Sequence, residues 1–466
     1  MNTAVLVIFV IVYLGMILGG LPFLQLDRTG VALLGAIALV GVGAVSIEAA
    51  VQSLHLPTLI LLFAFMVVSA QLRLGGFYAW VTLKLGLLPL GPPLLLGALV
   101  ALVGALSAVF SNDVVCLAVA PVLIDACRRR DLNPLPFLLG LACAANVGSA
   151  ATLIGNPQNM LIGATLGLSF GGYAAQVLAP VLLGLLATWA IIAWQARGHW
   201  AAMVPAREET RGRRSTAAPA FNRWQTTKGL LVAGALLGVF LFTSWPREAA
   251  ALVGAGILLT SRQLHSRHML GLVDWELLVL FMGLFVVNHA LQDSGLVAEA
   301  VRALAAGGVP LEAPGTLFAA AVLLSNLVSN VPAVMLLLPV ATDPLAGSIL
   351  ALASTLAGKS AAGGQYRQLD RGGCGRAAGP GDRLAHPRPR GHSGHPGDPG
   401  YRRRLPASLT PRLHLETDHR APLAAEFNTD QMQGTTRGAV FVRVATLLNL
   451  AQCAALGLPR HNLEFK

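Results

Sequence analysis

Two polar interruptions of otherwise apolar sequence hold the residues of this chain that could do chemistry. The first is Ser111-Asn112-Asp113, and the second runs from Asn146 to Asn159 and contains Ser149, Thr152, Gly155, Asn156, Pro157 and Asn159. In a bilayer such groups must face protein, water or a ligand, because hydrocarbon offers them no hydrogen bond. A break also frees backbone carbonyls and amides. Together with Asn and Ser oxygens these can hold a hard cation, while an adjoining helix N-terminus offers amides to an anion. A plain turn capped by Ser111 and Asn112 is the alternative for the first break. Asp113 is the one acid beside it, able to carry a proton or pair with a cation, or, near the interface, to cap a helix. In the second break Gly155 permits a backbone turn, and Pro157 removes an amide and disfavours helix at Asn156. Asn156, Gln158 and Asn159 supply amide donors and acceptors. The sequence therefore predicts a broken helix in mid-membrane, with a connecting loop as the alternative.

Both interruptions belong to a repeating plan. Leu61-Leu62-Phe63-Ala64-Phe65-Met66 is echoed by Leu278-Val279-Leu280-Phe281-Met282, and Ser111-Asn112 through Ala120-Pro121-Val122 by Ser329-Asn330 through Leu338-Pro339-Val340. Ser354 to Gly358 parallels Ser149 to Gly155. Asp113 faces Val331 in this comparison, so titratable chemistry is expected in the first half only. Internal repeats with polar, Gly/Pro-interrupted apolar segments point to a transporter whose binding site lies where the repeats meet.

The elements that must position these groups are membrane helices. The chain has 466 residues, of which 55% are hydrophobic and 12% charged, with a mean hydropathy of +0.65. Stretches approaching the ~20 apolar residues of a membrane span recur through the first three quarters of the sequence. Ala4 to Gly20 has no basic residue before it and no clear cleavage site after it, so it reads as the first span and not as a secretory signal. The expected fold is an all-α polytopic membrane protein of two inverted repeats with re-entrant hairpins and broken helices. Its divisions are a first repeat over 1–195, a basic loop over 196–228, a truncated second repeat over 229–358 and an irregular tail over 359–466.

The basic loop, with Arg207, Arg211, Arg213, Arg214 and Arg223, is placed in the cytoplasm by the positive-inside rule. Multi-pass insertion in the inner membrane of a prokaryote is the expectation. The formal charge of +11 is no nucleic-acid signal, because roughly half of the 33 Lys and Arg follow Gly358. Five cysteines without CxxC spacing argue against disulfides and structural zinc. Cys116 reads as an apolar filler before a thiolate ligand.

In these motifs the chain resembles the ion-transporter superfamily of arsenite permeases, NhaD-type sodium/proton antiporters and citrate or dicarboxylate carriers. The resemblance covers most of Leu56 to Gly358 and rests on the Ser-Asn tips, the Pro-terminated helices after them, and Gly155-Asn156-Pro157-Gln158-Asn159. It implies inverted repeats meeting around a central ion and substrate site, with Asn112, Asn156 and Asn159 binding in the first half and Asn330 in the second. Na+ at Asn112 and Asn156 would be the metal involved, with Na+ or H+ as coupling ion and no other cofactor. The implied partners are membrane lipid, a small anionic substrate and a second copy in a homodimer. Walker A and HExxH motifs are missing, so an enzyme is not expected. An intramembrane enzyme pairing Asp113 with Asp125 or Asp274 is the minor alternative.

After Gly358 the family pattern fails. From Lys359 the chain is rich in Gly, Arg, Pro and His, a composition that can neither span lipid nor bury a core. With one base removed from the Lys359 codon, permitted codons for Ser360 to Gly373 can read Asn-Leu-Leu-Leu-Val-Gly-Ser-Ile-Ala-Asn-Leu-Ile-Val-Val. That restores an Asn directly after Gly358, as Asn156 follows Gly155, and an apolar helix behind it. Codons for His386 to Arg403 can likewise give an apolar run. A one-base insertion in the gene or its sequencing is therefore expected, against a genuine basic tail, and no role falls to His386, His392, His395 or Arg402 to Arg404. If the tail is real, the chain is a non-functional transporter remnant.

Overall fold

The computed structural model describes residues 2–21, 24–201, 221–261 and 263–357, which lie in one unit of the chain. Much of the basic loop, Gly358 and the whole 359–466 tail fall outside the described residues.

The described chain is helical, in an order that runs through the same series twice. The first series is α1 (Asn2–Leu18), α2 (Arg28–Gly41), α3 (Ile47–Ser53), α4 (Leu56–Leu74), α5 (Phe77–Gly86), α6 (Pro92–Val109), α7 (Asn112–Arg129), α8 (Pro134–Ser149), α9 (Pro157–Thr165) and α10 (Phe170–Gln195). The second is α11 (Arg223–Phe242), α12 (Arg247–Leu259), α13 (Ser266–Leu270), α14 (Trp275–Asp293), α15 (Leu296–Ala306), α16 (Pro314–Val328), α17 (Asn330–Leu337, extended by a 3₁₀ turn to Val340) and α18 (Ala346–Leu356). Helices α1 to α8 thus match α11 to α18 in order. Among the described residues α9 and α10 have no counterpart.

Local chemistry sets the boundaries. Asp27 caps α2 by accepting from Gly30 N at 2.8 Å, and Asp274 caps α14 by accepting from Leu277 N at 2.9 Å. Pro falls in the first turn of α4, α6, α8, α9 and α16, where its missing N–H costs nothing. Five helices, α4, α6, α10, α11 and α14, are long and apolar enough to cross a membrane. The short helices α9 and α18 are buried along most of their length.

Packing repeats with the sequence. The α1–α2 hairpin packs on α14, and the α11–α12 hairpin packs on α4, so each repeat lays its opening pair against the other's central span. Arg28, Ala32, Gly35 and Leu39 of α2 recur at constant spacing as Arg247, Ala251, Gly254 and Leu258 of α12, and both alanines are fully buried. Contact here is backbone to backbone: a Cβ on Gly283 of α14 would lie 2.7 Å from the Ala32 carbonyl carbon. Small residues drive such close approach in lipid, where no hydrophobic force brings helices together.

Sequence periodicity expected none of the short helices α5, α13 and α15. All three lie between spans: α5 and α15 each follow a central span through a left-handed glycine, Gly76 and Gly295.

Candidate functional site

The site forms where α8 stops. After Ser149 the chain turns through residues 150–156, and α9 restarts at Pro157, giving the broken helix expected from the sequence. Gly155 is fixed by space: a Cβ there would lie 2.2 Å from the Ser149 carbonyl oxygen and 2.8 Å from that of Ser107. One turn earlier Gly148 meets Gly104 of α6, where a Cβ would fall 2.4 Å from the Gly104 Cα.

Asn156 is extended, with φ −150°, and its Oδ1 caps α9 by accepting from Asn159 N at 2.9 Å. Its Nδ2 donates to Ser149 Oγ at 2.9 Å and to Thr355 Oγ1 at 3.1 Å. Gln158 Nε2 donates to the same Thr355 hydroxyl at 3.2 Å, and Asn146 Nδ2 donates to the Thr355 carbonyl. Three side chains of the first break thereby close on one threonine of the second repeat. Asn159 is fully buried and donates to the Thr152 carbonyl at 3.0 Å and to Tyr173 Oη at 3.1 Å. Tyr173 in turn donates to the Ala150 carbonyl at 2.8 Å. Thr152 Oγ1 donates to the Ala108 carbonyl at the end of α6.

The first hairpin tip docks on this break, with Asn112 N donating to the Gly155 carbonyl at 3.3 Å. The N-termini of α7 and α9 therefore lie side by side. In the second repeat Asn330 opens α17, which packs on α9, and is half-buried. Ser111 has ordinary extended geometry, whereas Ser329 is held at φ 94°, ψ 159°, a region open to glycine almost alone. Ser354 is buried with its hydroxyl turned back to the Ala351 carbonyl at 3.4 Å. Asp113 sits in the first turn of α7 and is exposed.

Several buried oxygens here have no hydrogen-bond partner among the described residues: Asn112 Oδ1, Asn159 Oδ1 and Ser107 Oγ, and in the second repeat Ser325 Oγ. Ser107 and Ser325 stand at the same distance before Asn112 and Asn330. Sequence reasoning passed over both because each lies before the Ser-Asn tip within a largely apolar stretch; recurrence in register with the tips was the signal. It also missed Tyr173 and the role of Thr355. Buried oxygens without partners cost stability unless something binds them. Adjacent helix N-termini suit an anion, and carbonyl and hydroxyl oxygens suit a hard cation.

Repeated helices that exchange their opening hairpins, enclosing an uncharged amide-rich break, define a multi-pass membrane transporter of the two-repeat class. The citrate transporter family model, CitMHS, matches residues 4–357, and the chain belongs to that family. An uncharacterized transporter of Mycobacterium tuberculosis is 29% identical over 339 residues, 69% of this chain and 77% of the relative. A 46 kDa membrane protein of Mycobacterium leprae is 29% identical over 335 residues, again 69% and 77%. A silicon efflux transporter of Oryza sativa is 37% identical over 164 residues, 35% of this chain and 34% of the relative.

Proposed function

We propose that the chain is a secondary active transporter, and not an enzyme, that moves a small anion or oxyanion, arsenite-like or carboxylate, across the inner membrane of a prokaryote, coupled to Na+ or H+. One observation carries the reading: the N-termini of α7 and α9 meet beside Asn112 Oδ1 and Asn159 Oδ1, buried oxygens without partners. Amides facing one way and amide oxygens another can take an anion and its coupling cation together. The names of the family and of its relatives fit this range, from citrate for the family to silicon for the rice protein.

A Na+/H+ antiporter of the same fold is the second reading, favoured by the acceptor-only character of the unpartnered amide oxygens of Asn112 and Asn159. Substrate would then be the ions alone. Flux into proteoliposomes separates the two, with the chain as written and a frame-restored chain tested side by side. Imposed Na+ or pH gradients should drive uptake of labelled arsenite, silicate or citrate. Gradient-driven proton movement with no dependence on any oxyanion or carboxylate would select the antiporter, and silence of both chains would reject transport.

A further inference from the structure

The doubled architecture allows each contact of the first repeat to be sought in the second. Helix α9 ends under an arginine: Arg247, the first residue of α12, donates from Nη2 to the Leu168 carbonyl at 2.7 Å and to the Gly163 carbonyl at 3.4 Å. Leu168 lies in the turn that follows α9, and the Gly163 carbonyl also accepts from Leu168 N at 3.1 Å, so the guanidinium clamps the turn that ends α9. Arg28 holds the same place at the start of α2. Its Nε is buried and has no hydrogen-bond partner among the described residues. A buried guanidinium nitrogen without an acceptor is expensive, and here its mate in the other repeat shows which acceptors the position is built for.

A second mismatch lies on α16. Gly97 of α6 is covered by Trp189 of α10, whose ring nitrogen would lie 3.0 Å from a Cβ at that glycine and donates to the Pro93 carbonyl at 2.9 Å. In register with the Ser107/Ser325 and Asn112/Asn330 pairs, Gly97 corresponds to Gly315 of α16. Gly315 is exposed, with no atom within 4 Å of the place a Cβ would take. Both mismatches fall where counterparts of α9 and α10 would pack.

We propose that Arg28 and the open α16 face at Gly315 form a ready seat for the closing half of the second repeat. Its occupant is the polypeptide encoded one frame over after Gly358, an Asn-led helix followed by an apolar span. The family match ends at residue 357, where the composition changes, and the match to the mycobacterial relative covers 77% of that protein's length. In this arrangement the new helix ends under Arg28 as α9 ends under Arg247, and the span covers Gly315 as α10 covers Gly97. This rests on the two-repeat reading of the fold and is independent of what is transported.

The test compares the chain as written with the frame-restored chain, using stability and labelling and no transport readout. Arg247→Ala should lower the melting temperature of both detergent-solubilised proteins, whereas Arg28→Ala should lower it only in the restored chain. In native membranes, a lipid-soluble maleimide should label Gly315→Cys in the chain as written above the background of the native thiols, and this added labelling should be lost in the restored chain. Arg28→Ala acting alike in both chains, equal labelling at position 315, a restored chain that fails to accumulate in the membrane, or a stop codon early in the shifted frame would each overturn the proposal.

Discussion

Thr355→Val removes one hydroxyl from the contact between the repeats and little else. Valine matches threonine in shape, so no cavity opens, and the Asn146 bond is kept because it goes to the backbone carbonyl of residue 355. Two amide donors lose their shared acceptor. Asn156 Nδ2 keeps Ser149 Oγ at 2.9 Å, so its loss is that of one ordinary hydrogen bond, about 0.5–1.5 kcal/mol. Gln158 Nε2, in a residue only 4% exposed, loses its acceptor and has no other among the described residues, which costs about 1–3 kcal/mol. The sum is a destabilisation of ~2–4 kcal/mol. Denaturation of the purified protein in mixed detergent reads it directly, with Thr355→Ser as the control that restores the acceptor. The reasoning fails if Thr355→Val lies within ~0.5 kcal/mol of the parent, as neutral substitutions do, or if serine is as harmful as valine.

Gly155→Ala should destabilise by about 1–3 kcal/mol or more, because the new methyl meets backbone oxygens of Ser149 and Ser107 that cannot turn away; thermal melts of the variant check this. Ser329→Gly should raise stability by about 1 kcal/mol, since it relieves a positive-φ conformation at some entropic cost, and an unchanged or lower melting temperature would count against real strain at the second tip. Tyr13→Phe should cost about 1–2 kcal/mol: the phenol donates to Asn288 Oδ1 at 2.9 Å, and both residues are buried. Chemical denaturation against Phe9→Leu, a change at a neighbouring ring without a hydroxyl, separates the hydrogen bond from packing.

Much of this architecture is written in the sequence because membrane helices must satisfy their own backbone. Polar tips therefore stand out against apolar text, and Ser111-Asn112, Ser329-Asn330 and the Gly155 to Asn159 break all fall at helix boundaries. The doubling was legible from the same residues. What escaped the sequence depends on partners distant in the chain. Thr355 lies in an ordinary-looking helix, and only the fold brings Asn156 and Gln158 to it across 199 and 197 residues. The exposure of Asp113 follows from helix phase at the first turn of α7, which sequence spacing does not fix. The short helices α5, α13 and α15 escaped because each is too short for a periodic signal to outweigh its flanks.

The measurement that bears most directly on the central claim is the effect of Asn156→Ala on gradient-driven flux through the frame-restored chain in proteoliposomes. Asn156 joins the broken helix to the second repeat through Thr355, so its loss should abolish Na+- or H+-driven uptake of the transported oxyanion or carboxylate while the protein still inserts in the membrane. Flux unchanged by Asn156→Ala in a properly inserted protein would contradict the account, placing the transport path away from the α8–α9 break.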